Sequence, residues 1–237
     1  MQFFTVIFYQ PLWNALVIIY NFLPNHDIGW SIILLTIAIK VVLFPFSLQS
    51  LRSQKAMQTL QPKINALKAQ FKGEKEKQAK AMMELYKNEK VSPLSSCLPL
   101  LIQFPILIAL YQVLRAGLGH PSPELLYGFV QNPGALDPHF FGVFDLAKPN
   151  YLLAILAGIF QFIQTKMIQV KPPPAAISET PAAKDESTMA MMNKQMLYVM
   201  PVMTVFIGAG LPGGLALYWL VNNIVTVGQQ FYFSKKS

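Results

Sequence analysis

The stretch IGWSIILLTIAIKVVLFPF, from Ile28 to Phe46, decides the fold of this chain. At about 1.5 Å of rise per residue it can cross a bilayer core as a helix, and its only charge is Lys40. An ammonium group inside a spanning helix costs roughly 2.5 to 3.5 kcal/mol, so it needs water or a partner. The nearest acid, Asp27, lies 13 residues earlier, about 20 Å along a helix. We therefore expect Lys40 to face water inside the membrane.

Snorkelling is the alternative explanation for Lys40, with the side chain running along the helix to the headgroups. Ser47 lies seven positions after Lys40, about 10 Å along a helix, whereas a lysine side chain spans roughly 6 Å. The charge would then stop short of the interface unless the bilayer thins locally. A water-filled indentation is the favoured interpretation, and Thr36, one turn earlier, shares that face.

The composition indicates a polytopic, all-α membrane protein. Of the 237 residues 53% are hydrophobic and only 13% are charged, which is too apolar for a soluble domain of this size. The single cysteine, Cys97, cannot form an internal disulfide, and no CxxC or Cys/His cluster predicts a metal. The chain also lacks a Walker-type glycine loop, GxSxG and HExxH. We expect neither an enzyme nor a cofactor.

Five spans are expected, with the N-terminus outside and the C-terminus inside: 28–46, 94–114, 151–169, 194–211 and 214–233. Residues 1–27 are expected to form a helix lying on the outer face, because Gln10, Asn14 and Asn21 fall near one side of it; a spanning helix is the alternative. No lysine or arginine occurs before Lys40, so this terminus is interpreted as mature and non-cytoplasmic rather than as a cleavable signal.

Residues 47–93 are expected to form a basic, cytoplasmic helical hairpin. Ten lysines and arginines stand there against four glutamates, and positive charge favours the cytoplasmic side. Apolar residues recur at helical spacing on both sides of Gly73, and Pro62 should end or kink the first arm. A solvated strut is one interpretation. The other is a surface that docks anionic lipid or a client, through Met57, Leu60, Ile64, Met82 and Met83.

The remaining connections are simpler. The outer loop 115–150 is rich in Pro and Gly and is expected to carry a short interfacial helix around Glu124 to Val130. Residues 170–193 lack periodicity and aromatic residues, which predicts a flexible cytoplasmic linker. The chain closes with a short basic tail, 234–237.

Polar residues in the spans predict one hydrophilic cavity. The last span carries a stripe at i, i+4, i+8 and i+11: Tyr218, Asn222, Thr226 and Gln229. A single polar residue in a spanning helix most often forms a hydrogen bond to a neighbouring helix. Taken with Lys40, Thr36, Gln103 and Gln164, the set exceeds what packing five helices requires, so we expect it to line a groove.

From about Ile28 to Phe233 the chain resembles the YidC/Oxa1/Alb3 family of membrane protein insertases. The matching segments, in order, are TIAIKVVLFPF, LQPKI, ELYK, SSCLPLLIQFPILIALY, FIQTKM and PGGLALYWLVNNIVTVGQQ. Each is weak alone, and their order and spacing carry the resemblance. It is similar to the short form of the family, since the large periplasmic domain of Gram-negative relatives is not among these residues. Ser92, Ser95 and Ser96 depart from the usual asparagine and glycines around the start of the second span.

The resemblance implies five helices around a positively charged groove that inserts and helps fold new membrane proteins without nucleotide hydrolysis. Lys40 stands where the family has an arginine, with Thr36, Gln103, Gln164 and Asn222 as polar groove residues and Tyr218 and Trp219 as the aromatic pair. It implies a multi-pass protein of the bacterial cytoplasmic membrane. The implied partners are nascent proteins with a short, often acidic tail, and anionic lipid, but no specific nucleic acid. The resemblance leaves open whether a ribosome and a Sec translocon are also partners.

A small-anion transporter or channel is the alternative function, with Lys40 as the binding charge. Inverted repeats with paired broken helices would favour it, and the sequence shows no convincing internal repeat. An intramembrane protease is excluded, because His26, His120 and His139 all fall in outer segments.

Overall fold

The computed structural model describes residues 2–71, 73–91, 98–117, 123–168 and 183–235, and these residues are predominantly helical. The N-terminal helix consists of α1 (Gln2–Phe4), a π-helical turn (Thr5–Tyr9) and α2 (Gln10–Phe22). The other helices are α3 (Ile28–Val42), α4 (Phe44–Gln70), α5 (Lys75–Asn88), α6 (Leu98–Gly117), α7 (Tyr151–Ile168), α8 (Ala183–Ala209) and α9 (Gly213–Lys235). Two short antiparallel strands, β1 (His139–Phe140) and β2 (Phe144–Asp145), pair with His139 opposite Asp145. The five-helix core predicted from the sequence is thus present as α3, α6, α7, α8 and α9.

The main core lies where the N-terminal helix, α3, α6 and α9 meet. Its fully buried members include Trp13, Leu16, Ile32, Leu110 and Leu215. The helix α7 packs on both α8 and α9, and the Nδ2 of Asn223 donates a hydrogen bond of 3.0 Å to the carbonyl oxygen of Ala157. Many large apolar side chains are exposed, among them Val41, Val42 and Phe206, which suits contact with lipid.

Capping and turn contacts position α3 and α9 at one end of the molecule. Asp27 caps α3, since its Oδ1 accepts hydrogen bonds from the backbone N–H groups of Gly29 (2.7 Å) and Trp30 (3.1 Å). The N–H of Gly213 donates to the carbonyl of Lys148 at 2.8 Å. A side chain at position 213 would meet that carbonyl oxygen at 3.0 Å, so glycine permits this close approach.

By length and composition, one unbroken helix of the described residues qualifies as a membrane span, Gln2–Phe22. Ile28–Val42 and Phe44–Gln70 qualify together, but they meet at a bend of 65°. Shorter apolar helices follow at Leu101–Gly117, Tyr151–Met167 and Leu197–Ala209.

The first predicted span ends earlier than expected. The structure ends α3 at Val42 rather than Phe46, and the chain turns at Leu43 into α4. Pro45 lies in the first turn of α4, where its missing N–H costs least. An end or a kink was predicted at Pro62, and α4 continues through it to Gln70, so Pro62 does not end the first arm. Pro62 is exposed, so its ring lies against solvent rather than against a neighbouring element.

The prediction of a helix around Glu124 to Val130 is also wrong. Only a 3-10 turn, Pro123–Leu125, forms there. Asn14 takes up the backbone groups that a helix would use: its Nδ2 donates to the carbonyl of Leu125 (2.9 Å), and its Oδ1 accepts from the N–H of Tyr127 (2.7 Å). The small hairpin of β1 and β2 was not predicted.

The predicted linker is shorter than expected. The helix α8 begins at Ala183, whereas the span was predicted to start at residue 194. The sequence AKDESTMAMM is rich in residues with good helix propensity, which explains the extension. Residues 169–182, which hold the proline run, lie outside the described residues, as do Ser92, Ser95, Ser96 and Cys97.

Candidate functional site

Lys40 points from α3 toward α9. Its Nζ donates a hydrogen bond of 2.7 Å to the Oγ1 of Thr226, and that hydroxyl in turn donates to the carbonyl of Asn222 at 2.7 Å. No ion pair among the described residues involves Lys40. An ammonium group has three N–H donors, so this geometry leaves two of them for water or a bound group.

An open pocket begins at Lys40. It has an empty volume of about 330 Å³, part of which is open to solvent. Its walls come from the end of α3, the bend, the start of α4 and the facing side of α6: Lys40, Leu43, Phe46, Ser47, Ile102 and Gln103. The pocket therefore combines one cation and two neutral polar groups with apolar walls.

The sequence-predicted groove residues divide into those that line this pocket and those that do not. Lys40 and Gln103 line it. Thr36 is buried, and its Oγ1 donates to the carbonyl of Ile32 at 2.6 Å, so its hydroxyl is used within α3. Gln164 lies on α7, and its Oε1 is buried without a hydrogen-bond partner among the described residues. An amide oxygen in that state is a candidate for binding water.

The predicted aromatic pair, Tyr218 and Trp219, also differs in burial. Tyr218 is only 1% exposed and accepts a hydrogen bond from the Nε2 of Gln103, so it is a core residue that holds α9 to α6. Its predicted contact with a passing client does not fit this burial. Trp219 and Asn222 are half-buried. Sequence reasoning missed Ser47 as a site residue. It placed Thr226 in the polar stripe of the last helix, but it did not identify Thr226 as the hydrogen-bond partner of Lys40.

The hairpin of α4 and α5 presents a different surface from the one predicted. Leu60 and Ile64 are buried, so their side chains are not exposed for docking a client. Met83 is 70% exposed, and Met57 and Met82 are half-buried. An ion pair between Lys63 and Glu89 joins the first arm to the residue after the second.

Together these features define an α-helical membrane protein with a cationic pocket beside a basic helical hairpin. The chain belongs to the 60Kd inner membrane protein family, whose model matches residues 18–237. A solved structure of an active YidC insertase, with its first transmembrane domain resolved, matches with a TM-score of 0.61 at 25% identity, covering 94% of this chain and 46% of that one. Family membership makes this a membrane protein and does not favour the anion-transport alternative.

Two curated relatives illustrate the sequence similarity. The membrane protein insertase YidC of Ectopseudomonas mendocina is 38% identical over 229 residues, covering 96% of this chain and 34% of that protein. The membrane protein insertase YidC of Pelobacter propionicus is 38% identical over 245 residues, covering 98% of this chain and 39% of the relative. The chain thus spans little more than a third of the length of these relatives.

Proposed function

We propose that this chain is a membrane protein insertase that admits a short hydrophilic tail of a new membrane protein through the pocket at Lys40. The observation that carries the proposal is the setting of Lys40: its partner is the neutral hydroxyl of Thr226, and the pocket at its side is open. The relatives named as insertases support the same activity.

The pocket would lower the barrier to moving a polar tail part of the way across the membrane. Water and the polar groups of Lys40, Ser47 and Gln103 would replace some of the tail's bulk hydration. Burial of the client's own apolar span in lipid would then drive insertion, at about 25 cal/mol per Å². No nucleotide hydrolysis or covalent step is required.

Acidic tails are the preferred clients under this proposal. A carboxylate that approaches the two free N–H donors of Lys40 gains a charge-assisted hydrogen bond in a site partly shielded from water. Lysine binds a carboxylate as a point charge, whereas arginine pairs with it through two parallel hydrogen bonds. Capture by Lys40 should therefore be transient, which suits a tail that must move on.

The proposed orientation places the N-terminus outside, and the hairpin and the C-terminus in the cytoplasm. It is supported by the exposed basic residues of α4 and α5, including Arg52, Lys55, Lys80 and Lys87. This hairpin would contact anionic lipid, while Met57, Met82 and Met83 would contact apolar clients. A ribosome and a Sec-type channel are further proposed partners on that basis.

The test compares two variants of Lys40 with two clients. Lys40→Gln removes the charge, and Lys40→Arg keeps it as the matched control. Insertion into proteoliposomes is measured for one client with an acidic N-terminal tail and for the same client with a neutral tail. We expect Lys40→Gln to lower insertion of the acidic-tail client about 5- to 30-fold, which corresponds to roughly 1 to 2 kcal/mol. The neutral-tail client should change little.

Lys40→Arg should insert both clients at least as well as the unchanged chain, because the charge is kept and the guanidinium is a stronger carboxylate ligand. Equal losses for both clients with Lys40→Gln would contradict the electrostatic role and leave Lys40 with a purely structural one.

A further inference from the structure

The outer loop carries an aromatic hairpin, residues 139–145, that the proposed function does not use. Its tip, FFGVF from Phe140 to Phe144, contains no charged residue. Phe141 is 60% exposed and Val143 is 75% exposed. Large apolar side chains at the tip of a two-stranded hairpin bury little surface within the protein, so their position calls for a binding partner.

The backbone at this tip is held in a conformation that disfavours the residue found there. Phe141 has φ +53° and Gly142 has φ +69°, and the N–H of Val143 donates to the carbonyl of Phe140 at 3.1 Å. These angles define a tight turn that favours Asn, Asp or Gly at its first central position. A phenylalanine in the left-handed region is an outlier, and such strain is typical of functional positions.

Asp27 holds the tip against the start of α3. Its Oδ2 accepts the N–H of Phe141 at 2.9 Å, while its Oδ1 caps α3. The Phe140 ring lies over Gly29 so closely that a Cβ at this glycine would come within 2.0 Å of it. The hairpin is therefore fixed in place relative to α3.

The tip continues the lipid-facing stripe of α3. Exposed apolar residues follow that helix at i, i+4, i+7 and i+11: Trp30, Leu34, Ile37 and Val41. The Trp30 ring contacts the Phe141 ring edge-on at 5.8 Å. Polar pairs flank the apolar tip on both sides: Asp137 contacts the ring of His139 (2.6 Å), and Asp145 forms an ion pair with Lys148 (2.9 Å). Apolar groups at a tip with charges behind them match the order of acyl chains and headgroups in a bilayer leaflet.

We propose that the tip of the aromatic hairpin is a membrane anchor. Phe141 and Val143 insert into the interfacial region of the leaflet at the N-terminal end of α3, and the two flanking polar pairs lie among the headgroups. The partner is lipid rather than another protein, because the tip is continuous with the exposed apolar stripe that begins at Trp30. The anchor lies at the opposite end of α3 from the bend and the basic hairpin.

The experiment measures the depth of a fluorophore on the tip. In a Cys97→Ser background, Val143→Cys is labelled with an environment-sensitive dye, and Ala135→Cys, also exposed on the outer loop, is the matched control. Both proteins are reconstituted in phosphatidylcholine and phosphatidylglycerol vesicles. We expect lipids with a nitroxide high on the acyl chain to quench the label at 143 at least twofold more than the label at 135, and aqueous iodide to show the reverse order.

A label at 143 that iodide quenches as strongly as the label at 135 would overturn the proposal. So would a label shielded from both quenchers, which would indicate a protein partner or a second copy of the chain. A second variant tests the side chain itself, with the dye still at 143. Phe141→Asn introduces a polar residue that accepts the left-handed conformation, so the fold should be preserved. Because the apolar ring is lost, quenching of the label at 143 by the nitroxide lipids should decrease. No client is used, so failure here is separate from failure of the insertase proposal.

Discussion

At the scale of single residues, the central finding is that the cation of the pocket is held by a hydroxyl. Lys40 and Thr226 are 186 positions apart in sequence and 2.7 Å apart between Nζ and Oγ1. A carboxylate partner would neutralise the lysine and compete with an acidic client. A hydroxyl orients the ammonium group without neutralising it, which fits a site that binds and releases.

Thr226→Val tests whether this orientation matters. Valine has nearly the same shape but no oxygen, so Lys40 keeps its charge and loses its anchor on α9. We expect insertion of an acidic-tail client to fall about two- to tenfold, equivalent to roughly 0.5 to 1.5 kcal/mol for one hydrogen bond. Thr226→Ser keeps the hydroxyl and should insert the client normally in the same assay. Equal insertion by both variants would exclude the orienting role.

Residue-scale prediction from the sequence succeeded for the identity of the cation and less well for its surroundings. Thr36, Tyr218, Leu60 and Ile64 were chosen because they share a helical face with other candidates. In the structure all four are buried against their own helices or neighbours. Periodicity identifies the side of a helix, but a partner helix and an open groove leave the same pattern in the sequence.

At the scale of elements, the most extensive contact between helices of the described residues is between α7 and α8. Small residues make it possible: a Cβ at Gly158 would lie 2.3 Å from Cγ2 of Val205 and 3.1 Å from the carbonyl oxygen of Pro201. A Cβ at Gly208 would lie 3.2 Å from that of Ala154. Within a membrane, small residues at such positions allow backbones to approach and gain van der Waals contacts.

Gly158→Ala should therefore destabilise the protein. The added methyl group must displace Val205 or separate the helices, and overpacking of this kind costs about 1 to 3 kcal/mol. The matched control is Gly228→Ala on α9, where nothing lies within 4 Å of the new Cβ. It should be neutral or stabilising, since alanine has the better helix propensity. Thermal unfolding in detergent compares the two, and an equal Tm for both would contradict close packing at Gly158.

The two arms of the basic hairpin differ in the burial of their apolar side chains. Leu60 and Ile64 of the first arm are buried, while Met83 of the second arm is exposed. The first arm therefore carries buried apolar side chains, and the second arm carries an exposed, adaptable one. The sequence pattern assigned all of these residues to one docking surface.

At the scale of the whole molecule, the proposed orientation places the basic hairpin and the outer loop on opposite sides of the membrane. Cysteines at Lys80 and Ala135, both exposed, report on these sides when introduced singly into a Cys97→Ser chain. A membrane-impermeant maleimide added to intact cells with an accessible outer surface should label Ala135→Cys, and should label Lys80→Cys only after permeabilisation. The opposite pattern would reverse the proposed topology.

The sequence by itself determined the class of protein, the apolar helices with their order, the basic hairpin, the lysine of the pocket and the family resemblance. These features depend on composition, on periodicity and on motifs that lie close together along the chain. Only the tertiary structure decided that Thr226 holds Lys40, that the chain bends at Leu43, and that Asp27 fixes Phe141 114 positions away. Each of these depends on the rotation and register of one element against another, which the hydrophobic pattern of either element does not encode.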